Sequence, residues 1–209
     1  MCNLYRMTKS TAEVARWFGV EDAAAGSNFA AEVYPGYPGL VVADGMLRAM
    51  HWGFPLRLKG KDGRTLKPKP VNNTRTDKLD SFFWRDSFER RRCLIPLTAW
   101  AEAEGPKGSM TRTWLTQPND EIFACAGLWR ASDEWGQCYS MVMTDATGAA
   151  AEVHTRMPVI LAREAHDAWT AGAIEAVRSL CRPWSGAIVL DRTPQPWAGA
   201  IARKSISRP

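Results

Sequence analysis

Asp44-Gly45 stands between two apolar runs, Leu40-Val41-Val42-Ala43 and Met46-Leu47-Arg48-Ala49-Met50-His51-Trp52. Both central residues of a two-residue hairpin turn need positive φ, and Asp-Gly supplies this at low steric cost. The pair therefore commits the chain early to antiparallel β structure. Further strands are expected over 92–97, 114–116, 122–129, 139–144, 158–161 and 186–190, with turns at Pro118-Asn119-Asp120 and 133–136. Ser10-Thr11-Ala12-Glu13 reads as a capping box, followed by Val14, Trp17 and Phe18 at helical spacing and by Gly19 as a stop. A short amphipathic helix over 11–18 follows, and further short helices are expected over 149–153, 162–170 and 173–180. The regular strand-helix alternation of a doubly wound sheet is missing. No internal repeat or Gly/Ser/Pro-rich linker divides the chain. The fold class read from these patterns is α+β, one domain over 1–209, with a mainly antiparallel β core flanked by short helices.

Hydrophobic residues make up 45% and charged residues 23%, which excludes a disordered or collagen-like chain. No apolar run approaches the roughly 18 residues of a membrane span. The N-terminus Met-Cys-Asn-Leu-Tyr-Arg lacks the apolar stretch of a signal peptide, so a cytoplasmic protein is expected.

The net charge of +5 is unevenly spread. Residues 56–92 hold 12 basic and 5 acidic side chains, leaving +7 there and −2 elsewhere. A localised basic field points to a polyanion, with nucleic acid first, or else to a solvated loop. Within it, residues 56–70 end in Lys67-Pro68-Lys69-Pro70 and are expected to be extended and exposed with few ladder bonds. Lys59, Lys61 and Lys67 are its candidate DNA contacts.

The five cysteines, Cys2, Cys93, Cys125, Cys138 and Cys181, show no Cys-x-x-Cys spacing, and His51, His154 and His166 are far apart. Neither a structural metal site nor a disulfide framework is expected. Most of the thiols read as buried hydrophobes.

Cys2 differs because removal of Met1 would leave an α-amine and a β-thiol on one residue. The amine can form a Schiff base with an aldehyde, and the thiol can then close a five-membered thiazolidine. The plainer reading is a cysteine that merely follows Met1. In Asn73-Thr74-Arg75, Arg75 can fork onto a phosphate and Asn73 can orient an amine or carbonyl. Both also fit an ordinary strand end. Glu102, beside Trp100 and Ala101, is either a partly desolvated acid/base or a solvated loop carboxylate. His154 can shuttle protons near neutrality or bond to backbone. Among ten tryptophans, Trp52, Trp84 and Trp100 are the nearest to these motifs and the candidates for base stacking, although most Trp rings belong to cores.

Taken in order, Met1-Cys2, Trp52-Gly53, Asn73-Thr74-Arg75, Arg92-Cys93-Leu94-Ile95-Pro96, Glu102, Ala126-Gly127-Leu128-Trp129, Thr144-Asp145-Ala146 and His154-Thr155-Arg156-Met157-Pro158-Val159-Ile160-Leu161 resemble the SOS-response-associated peptidase (SRAP) family of abasic-site-processing proteins. The resemblance runs from Cys2 to about Leu161. It implies a compact α+β domain around a barrel-like β core. It implies binding of single-stranded DNA and a thiazolidine cross-link between the mature N-terminal Cys2 and an abasic site, after Met1 is removed. Cys2, Asn73, Glu102 and His154 match the family's active-site residues, while Arg75 and Arg156 match positions near phosphates. The resemblance implies no metal and no organic cofactor, and a cytoplasmic protein that joins the nucleoid when bound to DNA. A monomer is the expected state. Where the family often has Gly-Arg after the cysteine, this chain has Asn3-Leu4, and its glutamate is embedded as Ala101-Glu102-Ala103. Two other readings stay open: a thiol peptidase using Cys2 and His154, and a non-covalent single-strand binding module.

Overall fold

The computed structural model describes residues 1–118 and 121–197. Asp44 and Gly45 adopt φ of 52° and 72°, as the hairpin requires, and join strands Pro38–Ala43 and Met46–Trp52. Strand Pro38–Ala43 also touches Arg92–Leu97, at Val42 opposite Leu94. Arg92–Leu97 pairs with Phe123–Ser132, and that strand pairs with Gly136–Asp145, all antiparallel. The ring closes by a parallel contact, in which Cys138 and Tyr139 of Gly136–Asp145 face His51 and Trp52 of the first hairpin. The result is a closed, five-stranded mixed barrel in a single compact α+β domain.

A second, wholly antiparallel sheet has the order Val189–Pro196, Thr111–Thr116, Ala99–Glu104, Tyr5–Arg6, Glu32–Val33. Successive side chains of a strand point to opposite faces. On the barrel strands, Leu40, Val42, Leu47 and Leu94 accordingly pack into a cluster with Val14, Phe88, Trp169 and Val177 of the helices. The alternate residues Val41, Ala43, Met50, Cys93 and Ile95 pack with Tyr5, Trp100, Leu115 and Cys2. Burial on both faces explains why all six residues of Arg92–Leu97 are buried. Arg92 is tolerated there because its guanidinium donates to the carbonyls of Phe88, Glu89, Trp169 and Gly172.

The capping box forms as read. Ser10 accepts from the Glu13 amide, helix Thr11–Phe18 follows, and Gly19 closes it with φ 69°. Helices Gly148–Val153 and Ile174–Leu180 lie where expected. The stretch read as a helix over 162–170 divides into a 3-10 turn, Arg163–Ala165, and a helix, His166–Ala171. The strand read over 158–161 is two pieces, Arg156–Pro158 and Ile160–Leu161, paired to different barrel strands. The last strand runs over Val189–Pro196 rather than 186–190. Among the described residues it is an edge strand paired on one side, so its two prolines are tolerated. Asn119 and Asp120 of the expected turn lie outside the described residues. The basic segment is more ordered at its base than expected, with Phe54–Leu56 pairing with Lys69–Val71 as an antiparallel ribbon. Among the described residues, no helix is long and apolar enough to cross a membrane.

Candidate functional site

The N-terminal segment enters beside strand Ala99–Glu104. Tyr5 faces Trp100, and the Ala101 amide donates to the Leu4 carbonyl at 2.9 Å. This antiparallel run carries Met1 and Cys2 toward Glu102. On the other side, strand Asn73–Arg75 lies parallel to Gly136–Asp145, with Asn73 opposite Met141. His154 caps helix Gly148–Val153 with an extended backbone. Three separate elements thus deliver Asn73, Glu102 and His154 to the first two residues.

The Met1 α-amine is 2.7 Å from His154 Nε2 and 3.5 Å from Glu102 Oε2. Asn73 Nδ2 donates to the Cys2 carbonyl at 2.7 Å. The Cys2 side chain is fully buried, and its Sγ donates to the Leu4 carbonyl at 3.4 Å. Cys2, Asn73, Glu102 and His154 therefore come together, as the sequence suggested.

The electrostatics follow from burial. Loss of water raises the Glu102 carboxyl to about 7, against the opposing pull of the N-terminal ammonium. Burial pushes the Cys2 thiol far up, and the Glu102 carboxylate adds to the effect. Burial and then the N-terminal ammonium lower His154. His154 Nδ1 lies 2.9 Å from the Arg156 amide and 3.2 Å from the Arg156 carbonyl. Nε2, 2.7 Å from the terminal ammonium, accepts from it, which places the neutral ring's proton on Nδ1, toward the carbonyl. Two buried acceptors, Asn73 Oδ1 and Glu102 Oε1, have no donor among the described residues. Chemically this is a protonated buried thiol beside an amine-binding pair in which the Glu102 carboxyl exchanges its proton near neutrality. Among the described residues, no three His, Cys, Asp or Glu side chains gather as a metal set.

The cationic candidates are placed differently. Arg75 is exposed and donates from Nε and Nη2 to Asp77. Arg156 pairs with Asp145 at 3.2 Å. Lys59, Lys61 and Lys67 are exposed on the ribbon, where Lys59 bridges to Thr65. The returning ribbon strand, Lys69–Val71, runs directly into Asn72 and Asn73, so the basic segment grows out of the site.

The tryptophan expectation needs correction. Trp52 and Trp100 are completely buried and Trp84 is 6% exposed, so none offers a ring face for stacking. Trp52 packs against Tyr5 and Tyr139 and donates from Nε1 to the Asn72 carbonyl at 3.0 Å. The large apolar ring is better used in the core than on a groove floor. A residue the sequence reading passed over is Asn72, whose Nδ2 donates to the Cys2 carbonyl at 2.9 Å and to Asn3 Oδ1 at 3.1 Å. Adjacent strand residues point opposite ways in a regular strand. Asn72 precedes strand Asn73–Arg75, which is why both amides can reach one carbonyl. The sequence signal was the doubled asparagine itself.

The family model described as SOS response associated peptidase (SRAP) matches residues 1–192. No curated protein matches the chain. A crystal structure of a protein from Bacteroides thetaiotaomicron is similar over 91% of each chain, with a TM-score of 0.77 and 16% identity. A second, from Bordetella bronchiseptica, covers 92% of this chain and 99% of that one, with a TM-score of 0.76 and 19% identity. A phage-related protein from Bordetella bronchiseptica covers 93% and 95%, with a TM-score of 0.67 and 18% identity. These likenesses concern the fold.

Proposed function

The chain belongs to the SOS-response-associated peptidase family, and on that premise we propose that it captures abasic sites in single-stranded DNA through Cys2 after losing Met1. The observation that carries this reading is the meeting of the residue 1–2 segment with Glu102, His154 and Asn73 at a partly buried site. The two donor-free acceptors, Asn73 Oδ1 and Glu102 Oε1, suit a site whose working form presents extra N–H donors, as a freed Cys2 amine would.

The proposed step begins with the ring-opened sugar. The Cys2 amine attacks the C1′ aldehyde, giving a carbinolamine that loses water to form an imine. The thiol then adds to the same carbon, its proton leaves the sulfur, and the imine nitrogen gains one. One aldehyde oxygen departs as water and one thiazolidine forms, with no change of oxidation state. Glu102, raised to about 7, can hold or release a proton at working pH, while His154, lowered by burial, serves as a neutral acceptor. Because burial keeps the thiol protonated, the amine is the first nucleophile and the sulfur reacts second. Asn73 holds the Cys2 carbonyl while this occurs. No cofactor is needed, because the aldehyde is already electrophilic. The ribbon lysines, Arg75 and Arg156 supply the phosphate contacts, within a cytoplasmic protein acting as a monomer and joining the nucleoid on its DNA.

A peptidase acting on other proteins through a Cys2–His154 dyad fits less well. Its thiol would have to ionise, yet Sγ is buried and bonded to a carbonyl. The test is incubation with single-stranded DNA bearing one abasic site, followed by denaturing electrophoresis. One covalent adduct per chain is expected. Turnover of a peptide without any adduct would overturn the reading, and salt-dependent binding without an adduct would leave a plain single-strand binding module.

A further inference from the structure

The Cys2 carbonyl accepts two side-chain amides, from Asn73 at 2.7 Å and from Asn72 at 2.9 Å. Both of its lone pairs are thereby engaged. Asn72 uses its second amide hydrogen on Asn3 Oδ1 at 3.1 Å, so one side chain ties together residues 2 and 3. Asn72 is itself fixed from behind. Its carbonyl accepts from the Trp52 indole at 3.0 Å and from the Met141 amide at 2.9 Å. Trp52 is completely buried, and Met141 belongs to a barrel strand, so the core is connected to the N-terminal end of the chain through Asn72.

This matters because a free N-terminus is otherwise held by the buried Cys2 side chain and by the contacts of the Leu4 carbonyl, none of which fixes the Cys2 main chain directly. The segment's regular pairing begins only at Tyr5. Once Met1 leaves, its contacts with His154 and Glu102 leave too. The Cys2 amine then keeps its aim through the buried Cys2 side chain, through the carbonyl on the same residue and through the direction of the chain at residue 3.

We propose that Asn72 is a positioning residue for the Cys2 amine, acting with Asn3 as a clamp that keeps the processed N-terminus directed at the aldehyde. Its contribution is orientation, which lowers the barrier without adding affinity for DNA. The inference rests on the abasic-site reading for its natural substrate, but the clamp itself is testable with any small aldehyde.

The experiment uses full-length protein whose mass shows that it begins at Cys2. Single-turnover rates are measured with abasic single-stranded DNA over a range of concentrations, and separately with glyoxylate, which condenses with the same amine and thiol. Asn72→Ala should slow the step at saturating DNA by roughly fivefold, the factor that matches one neutral hydrogen bond. The DNA concentration for half-maximal rate should not change. The same slowing is expected with glyoxylate. Asn72→Asp, isosteric but without the donors, should be at least as slow. Asn3→Ala, an exposed change that spares the core, should give a smaller loss. Combined with Asn72→Ala it should add nothing further, because both act through one contact. Wild-type rates with glyoxylate in both Asn72→Ala and Asn3→Ala would overturn the clamp. If the wild type reacts with glyoxylate but makes no adduct on DNA, the abasic-site reading fails, and the glyoxylate rates still decide the role of Asn72.

Discussion

Arg75 donates from Nε and Nη2 to the carboxylate of Asp77, at 2.8 and 2.7 Å. The pair closes a two-point fork between the end of strand Asn73–Arg75 and the 3-10 turn that follows it, and holds the Asp77 carboxyl below its ordinary range. An arginine expected to grip phosphate is thus already neutralised when DNA is absent. Exchange of Asp77 for a phosphate would be the first event of binding at this point.

Asp77→Asn should therefore tighten binding to single-stranded DNA, because the fork is released in advance. The log–log dependence of affinity on salt should keep its slope, since Arg75 makes the same phosphate contact. Arg75→Ala should make the slope shallower by roughly 0.7, the value for one phosphate contact on a single strand. Fluorescence anisotropy at several salt concentrations reads both. A slope untouched by Arg75→Ala would put the DNA groove elsewhere.

Cys2→Ala should abolish the covalent adduct and leave non-covalent affinity within about threefold, since phosphate contacts carry most of single-strand binding. Denaturing gels and anisotropy on the same samples give the two answers. A full yield of stable adduct from this variant would rule out a thiazolidine at Cys2.

The antiparallel hairpin was readable because Asp44 and Gly45 must both take positive φ, and few residue pairs do so. Helix Thr11–Phe18 was readable from its two ends, Ser10 and Gly19. The closing contact of the barrel, Cys138 against His51 and Tyr139 against Trp52, was not. A parallel pair between distant segments leaves no turn residue and no special spacing behind it. Within the site, Asn73, Glu102 and His154 stood out as chemical types in an ordered pattern. The burial of Trp52 did not, because a tryptophan beside a glycine looks the same whether it faces a core or a groove. Asn72 was hidden by its neighbour, because only the backbone path before strand Asn73–Arg75 decides that both amides turn to one carbonyl.

Glu102 links stability to pH. Its carboxyl lies near 7 in the fold and near its ordinary 4.5 when unfolded, so the folded state binds more protons between these values. Stability should fall as pH rises through this window and then level off above it. Glu102→Gln removes the term. Its stability advantage over the parent should grow from near zero at pH 4.5 to on the order of 3 kcal/mol above pH 7. Urea midpoints at pH 5 and pH 8 measure this, and an advantage independent of pH would contradict the burial of the carboxylate.

Gly39 has no room for a methyl group, because its missing Cβ would overlap the hydroxyls of Tyr5 and Tyr139. Those hydroxyls bond to each other in the core and join the N-terminal strand to the barrel. Gly39→Ala should cost about 1–3 kcal/mol by thermal or denaturant unfolding. Tyr139→Phe placed on top of it should recover part of the loss by removing one obstructing oxygen. A wild-type unfolding midpoint for Gly39→Ala would mean that the tyrosines sit elsewhere.

Strand Tyr5–Arg6 is held between Ala99–Glu104 and Glu32–Val33. During synthesis one of those two neighbours does not yet exist when the N-terminus leaves the ribosome. Roughly 100 more residues must be added, which takes about 5 to 20 s at ordinary elongation rates. For that interval Met1 is open to any aminopeptidase working at the tunnel exit. Once the sheet assembles, the methionine is drawn in beside Glu102 and His154. Trimming is then easiest before the sheet assembles, so slowing translation between residues 6 and 99 should lower the fraction of protein that still carries Met1.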